Sequence, residues 1–200
     1  MNTALLLLSI IFSYLLGSVP FGLMFSKIFS DVDVRTIGSG NIGATNVLRA
    51  AGKKAAVLTL LADALKGAIP VLFVKSFFHD DTATVLSGAA AVLGHNFPIY
   101  LKFKGGKGVA TSFGVVLAVA PLIGILCLLI WALAAYIWGY SSLAALISFA
   151  FYLGVTFFAI SPLSKTYGLL SLFIFGMIYY RHRENIKRLL AGTEPKIGKQ

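Results

Sequence analysis

The sequence predicts an all-α integral membrane protein with seven transmembrane helices, and three observations lead there. The 200 residues are 58% hydrophobic and only 12% charged, with a mean hydropathy of +0.88, whereas a soluble domain carries about a quarter charged residues. The apolar residues fall in runs of about 20, the length that crosses the hydrocarbon core of a bilayer. Short segments rich in Gly, Lys and Arg separate the runs.

Taken in order, the runs predict spans over 3–26, 54–75, 82–100, 108–120, 122–138, 143–160 and 164–181. The first lacks the basic start and small-residue cleavage pattern of a signal peptide, so it reads as a retained helix. The fourth is short and is separated from the fifth only by Ala120-Pro121. Merging or omitting segments gives five spans, and the count stays odd either way. With no internal repeat or low-complexity linker, residues 1–200 read as a single polytopic membrane domain.

Orientation follows from the short loops, because Lys and Arg are retained on the cytoplasmic side. Lys27, Arg35, Arg49, Lys53, Lys54, Lys102, Lys104, Lys107 and the tail from Arg181 to Lys199 fall on one side. The other receives Lys75, His79, Asp80, Asp81 and Lys165. The N-terminus is therefore expected outside and the C-terminus in the cytoplasm. The polar segments 35–54, 94–111, 139–142 and 181–200 then share the cytoplasmic face, where a site fed by soluble metabolites would open.

Composition also narrows the chemistry. The single cysteine, Cys127, permits neither a disulfide framework nor a thiolate cluster within one chain. The seven carboxylates do not cluster with the three histidines, so no metal or other cofactor is expected. The formal charge of +10 is placed between apolar runs, and the 16 Phe lie mostly within those runs, which argues against a nucleic-acid partner and for a membrane-lipid one.

The segment Asp31 to Lys54 contains Gly38, Gly40 and Gly43 at the spacing of a dinucleotide fingerprint. That fingerprint needs a βαβ unit, for which transmembrane spans leave no room. Closely spaced glycines do let backbone N–H groups approach an anion, and Ser39, Asn41, Thr45 and Asn46 add neutral donors beside Arg49; the alternative is a flexible connecting loop. The second segment, Gly94 to Thr111, contains His95 and Lys104-Gly105-Gly106-Lys107-Gly108 opening into an apolar helix. It departs from the nucleotide P-loop, which would need Gly at Leu101 and Ser or Thr at Gly108. Free N–H groups at a helix start with two lysines beside them still make an anion site; the alternative is cytoplasmic retention charge, with His95 a packing or capping residue.

In the third segment His182 and Asn185 stand at i, i+3, and Arg181 and Asn185 at i, i+4, with Arg188 following. They could clamp one phosphate, or form an ordinary basic juxtamembrane tail. Ser142 lies in a short connection where helix capping is the simpler reading. Asp63 and Lys66, at i, i+3 inside a span, read as a structural ion pair, with placement of the anion site as the functional alternative.

Over nearly its full length the chain resembles the bacterial acyl-phosphate:glycerol-3-phosphate acyltransferase family. The resemblance rests on residues 38–46 with Arg49, on Gly94-His95 followed by Phe103 to Gly108, on Ser142, and on His182, Asn185 and Arg188. It implies transfer of a fatty acyl group from acyl phosphate to the sn-1 hydroxyl of glycerol 3-phosphate in phospholipid synthesis, giving 1-acylglycerol 3-phosphate and phosphate. It also implies a multi-pass protein of the inner membrane, supplied by an acyl-phosphate-producing enzyme. Lys107, His182 and Asn185 are then expected to act in catalysis. Two anion pockets are expected. Gly105 to Gly108 with Thr45 and Asn46 would hold the donor phosphate, and Ser39, Arg49, Lys104, Ser142, His182 and Asn185 the acceptor phosphate. The His-x4-Asp base of soluble-type glycerolipid acyltransferases is missing, since Tyr100 stands where Asp would follow His95. The donor phosphate itself is the expected proton acceptor. An anion transporter would share the helices and the basic mouth, but its polar groups would not gather at one face.

Overall fold

The computed structural model describes residues 2–158 and 165–197, and all their regular structure is helical. The helices are α1 (Thr3–Gly17), α2 (Phe21–Ser30), α3 (Ala44–Phe78), α4 (Asp81–Asn96), α5 (Val109–Val119), α6 (Pro121–Trp138), α7 (Ser141–Phe158), α8 (Lys165–Arg181) and α9 (Arg183–Leu190). Among the described residues three stretches are by themselves long and apolar enough to cross a membrane: Thr3–Ser30, Ala44–Phe78 and Pro121–Trp138.

The first expected span is not one continuous helix. Pro20 has no N–H to donate and its ring clashes with the preceding turn, so α1 ends at Gly17 and α2 begins at Phe21. The second span starts earlier than hydropathy suggested: helix already forms at Ala44, inside the supposed loop, and bends at Gly52, whose φ is +80°. α9 continues the chain beyond α8 after a turn at His182. The expected spans 143–160 and 164–181 each reach at one end into residues outside those described.

Caps mark the other boundaries. Asn2 Oδ1 accepts from Leu5 N at 2.9 Å, Asp80 Oδ1 accepts from Ala83 N at 3.0 Å, and Pro121 opens α6 at a position where no N–H is needed.

Small residues bring the helices together, as expected where lipid supplies no hydrophobic drive between spans. α3 and α5 cross at two glycines: a Cβ on Gly67 would strike the Thr111 carbonyl, and one on Gly114 the Ala64 carbonyl. α1 lies on α4 through Gly17 and Gly94, with Ser13 and Ser87 hydroxyls 2.7 Å apart. The main buried core runs through α3, α4, α5, α7 and α8, with Val115, Phe149, Leu170 and Ile174 at its centre.

The lengths of α5 and α6 set the depth of the site. The two helices meet at Ala120–Pro121 and have 11 and 18 residues, or about 16 and 27 Å at 1.5 Å per residue. The start of α5 therefore sits about 10 Å deeper than the end of α6. At the far end of α5, Lys75 Nζ caps the Ala118 and Val119 carbonyls at 3.2 and 2.9 Å.

The crossing predicts a stability effect. Gly114→Val forces backbone apart and is expected to destabilise the protein by about 1–3 kcal/mol. Gly154→Ala, with nothing within 4 Å of the added methyl, is expected to leave stability unchanged or raise it. Thermal unfolding in detergent, followed by circular dichroism, compares the two.

Candidate active site

A cleft of about 460 Å³ opens among the start of α3, the loop before α5, Trp131 of α6, the start of α7, α9 and the tail beyond it. It brings Ser39, Asn41, Thr45, Asn46, Arg49, His95, Lys107, Gly108, Ser142, His182, Asn185 and Arg188 to one place from four separated segments. Opposite this polar end, Ala56, Val57, Leu60, Val109, Ala110 and Trp131 form an apolar wall.

Three expected residues do not line the cleft: Lys104, Gly105 and Gly106. Lys104 is exposed to solvent. The Gly105 and Gly106 carbonyls are held by Arg181, through Nη2 at 2.7 Å and Nε at 3.0 Å, and the Gly106 N–H donates to the His95 carbonyl at 3.0 Å. Arg181 thus fixes the loop and stacks 5.3 Å from the Phe97 ring, rather than joining Asn185 in a phosphate clamp. What the loop offers the cleft is Lys107 and Gly108. Gly108 adopts φ +80° at the N-cap of α5, and a side chain there would also meet Asn96 Oδ1.

Asn46 differs from expectation too. Its Nδ2 is shared among the carbonyls of Val34, Ile37 and Asn41 at 2.9–3.0 Å, and its Oδ1 accepts from Ser39 N at 3.1 Å. Its side chain is spent on shaping residues 34–41, with nothing left to donate to a ligand. Asn41 Oδ1 likewise accepts from Gly43 N at 2.8 Å. Thr45 Oγ1 and Ser141 Oγ stand 3.3 Å apart across the cleft.

Sequence reasoning missed Glu194. Gly192, at φ +69°, turns the chain after α9, and Glu194 then enters the cleft with its side chain 6% exposed. Its Oε1 accepts from Ser142 Oγ at 2.7 Å and Asn185 Nδ2 at 2.6 Å, and its Oε2 from Arg188 Nε at 2.8 Å. Burial opposes its ionisation, but these hydrogen bonds hold its pKa below the ordinary carboxylate value. The same tail gives the Lys196 carbonyl to Arg49 Nη2 at 3.3 Å and donates Ile197 N–H to the Gly139 carbonyl at 2.8 Å. An acidic residue just past a helix-ending glycine was the available signal, hidden among the surrounding basic residues.

Burial lowers the Lys107 amine to about 8; nearby Glu194 opposes this shift, and Arg188, Arg181 and Arg49 reinforce it. Burial also lowers His182, to about 4, with Lys107 acting in the same direction. At neutral pH the His182 ring is therefore uncharged. Its Nδ1 lies 2.8 Å from the Ile178 carbonyl, so Nδ1–H donates there and Nε2 remains a hydrogen-bond acceptor. Arg49, Lys53, Lys107 and Arg188 outnumber the two carboxylates of the lining, Glu194 and Asp63, leaving the polar end cationic.

Fold and cleft together define an α-helical integral membrane protein with a recessed cationic pocket abutting an apolar wall. The chain belongs to the glycerol-3-phosphate acyltransferase family, whose model matches residues 7–192. It is 50% identical over 205 aligned positions to the glycerol-3-phosphate acyltransferase of Jannaschia sp. (strain CCS1), covering 99% of this chain and 96% of that one. Among solved structures it is similar to PlsY, an integral membrane glycerol 3-phosphate acyltransferase, at 45% identity. The glycerol 3-phosphate form superposes with a TM-score of 0.90, covering 96% of each chain. The lysophosphatidic acid form gives 0.88, covering 96% of this chain and 95% of that one.

Because Lys107 loses its charge as pH rises through about 8, anion binding should weaken over that range. Sulfate keeps one charge state throughout, so its affinity, measured by calorimetry in detergent, is expected to fall several-fold between pH 7 and 9. Lys107→Arg stays cationic and is expected to flatten the profile.

Proposed function

We propose that this chain acylates the sn-1 hydroxyl of glycerol 3-phosphate with a fatty acyl group from acyl phosphate, releasing 1-acylglycerol 3-phosphate and inorganic phosphate for phospholipid synthesis. It works in the bacterial inner membrane with seven spans, its N-terminus outside and its cleft open to the cytoplasm. The observation that carries the reading is the joining of a cationic pocket to an apolar wall within one cleft. Both proposed reactants are small or amphiphilic phosphate compounds, and a relative of the same fold has been solved with glycerol 3-phosphate and with lysophosphatidic acid.

In this reading the acyl chain lies along Val57, Leu60, Val109 and Trp131, entering sideways from the inner leaflet, where apolar walls accept it without loss of hydration. Lys107 and the N–H groups at the start of α5 hold the donor phosphate, with Thr45 beside it. Arg49, Ser39 and the cluster of Ser142, Asn185 and Arg188 around Glu194 hold and orient glycerol 3-phosphate. Neutral His182 accepts a hydrogen bond from the neighbouring sn-2 hydroxyl through Nε2, which orients the acceptor and leaves the sn-1 proton free to face the donor phosphate.

The hydroxyl oxygen attacks the acyl carbonyl, the bond from carbonyl carbon to phosphate oxygen breaks, and the departing phosphate takes the hydroxyl proton. A His182 ring whose pKa is about 4 is too weak a base to compete for that proton at neutral pH, so it orients the acceptor through the sn-2 hydroxyl instead. Mixed anhydrides already carry a good leaving group. Proximity and the fixed charges therefore suffice, with no protein nucleophile.

Purified protein given glycerol 3-phosphate and acyl phosphate, acyl-CoA or acyl carrier protein in parallel is expected to release phosphate and lysophosphatidate only with the first. Lys107→Ala should lower turnover by about 10²–10³-fold, and quenched reactions should contain no covalent acyl-enzyme by mass spectrometry. Turnover with acyl-CoA alone, or a trapped acyl-enzyme, would contradict the reading.

A further inference from the structure

Beneath the loop that carries Lys107 lies an intramembrane ion pair. Lys66 Nζ is 2.7 Å from Asp63 Oδ1, and both side chains are almost completely buried. The same ammonium donates to the Val19 carbonyl at 2.7 Å and sits 5.6 Å over the Phe21 ring. Val19 lies in the break between α1 and α2, where its carbonyl accepts from Phe21 N at 3.1 Å, and Lys66 adds a second, charged donor to it.

The other partner turns towards the cleft. Asp63 Oδ1 is 3.7 Å from Nδ1 of His95, which is itself buried. On its far side the His95 ring lies so close to the loop that a Cβ on Gly106 would collide with Nε2, while its backbone carbonyl takes the Gly106 N–H. Asp63, His95 and Lys107 all line the same cleft. A buried ion pair is a poor way to gain stability, because well-packed apolar residues of similar volume do as well or better. A pair that ends on a ring pressed under an anion-binding loop has a second use.

We propose that Asp63 is a positioning residue of this enzyme: it sets the His95 ring under Gly106, and through that ring the placement of Lys107 and the start of α5. This rests on the acyl-transfer reading above. It assigns Asp63 no contact with substrate and no proton to move. Its effect falls on turnover, because the anion site still forms without it but aims its charges slightly wrongly at the reacting atoms.

The test is a double-mutant cycle in purified protein, with KM and kcat read separately. Asp63→Asn is expected to lower kcat by about 100-fold, the scale of a small misplacement, with KM for either substrate moving less than threefold. In a His95→Asn background it should cost nothing further. Additive losses, or a loss confined to KM, would overturn the proposal. Because Asp63→Asn leaves Lys66 unpaired, Asp63→Asn with Lys66→Met provides a neutral pair. A folded double variant that regains the wild-type melting temperature but not kcat supports the positioning role. Recovery of both, or failure to fold, makes the pair structural and sinks it. Should wild-type protein use a donor other than acyl phosphate, the acyl-phosphate reading fails alone and the same cycle is run with that donor.

Discussion

A backbone carbonyl or a charge inside hydrocarbon has no water to turn to, and this molecule is organised around that constraint. Long helices satisfy it trivially. Three departures from helix here are each paired with a side chain: the gap after α1 with Lys66, the turn at 34–41 with Asn46, and the loop at Gly105 and Gly106 with Arg181. Asn46 serves four backbone atoms and Arg181 two, while Lys66 joins one carbonyl to the Asp63 carboxylate. These backbone carbonyls can therefore be recessed into the protein with partners, and the irregular segments that carry them help to form the cleft.

Depth and packing follow from the same economy of space. α5 is short enough that its first turn ends well below the end of α6, and it reaches that position only because Gly67 and Gly114 let α3 and α5 touch backbone to backbone. The partial positive charge of a helix start is thereby carried to the level of the apolar wall. Glu194 then acts on the opposite rim, binding Ser142, Asn185 and Arg188 into one group. A hydroxyl from α7 and an amide and a guanidinium from α9 are held together by a single carboxylate.

Hydropathy made the helical membrane architecture legible because the signal is additive over about 20 residues and needs no tertiary knowledge. It could not see the gap at Ser18 to Pro20, since those residues sit in an apolar run and only proline's missing donor interrupts it. Nor could it see helix at Ala44 to Ala51, where polar residues face the cleft rather than water. The cleft residues were legible as clusters of glycine, basic and amide side chains at loop positions. Their division of labour was not. Asn46 and Arg181 looked like ligand donors, yet both are occupied by backbone, which is a fact of direction that spacing does not carry. Glu194 was invisible for a related reason: its partners lie up to 52 positions away.

The tail that carries Glu194 also sets an order of events. Residues 38–49, 95–108 and 141–142 are all made before Glu194, and each is inserted with its own helix. Until the ribosome has passed Ile197, Ser142, Asn185 and Arg188 lack the carboxylate that gathers them, and Arg49 lacks the Lys196 carbonyl. A partly synthesised chain in the bilayer thus has an unfinished pocket, so the cationic cleft reaches its final form only after the membrane segments are in place.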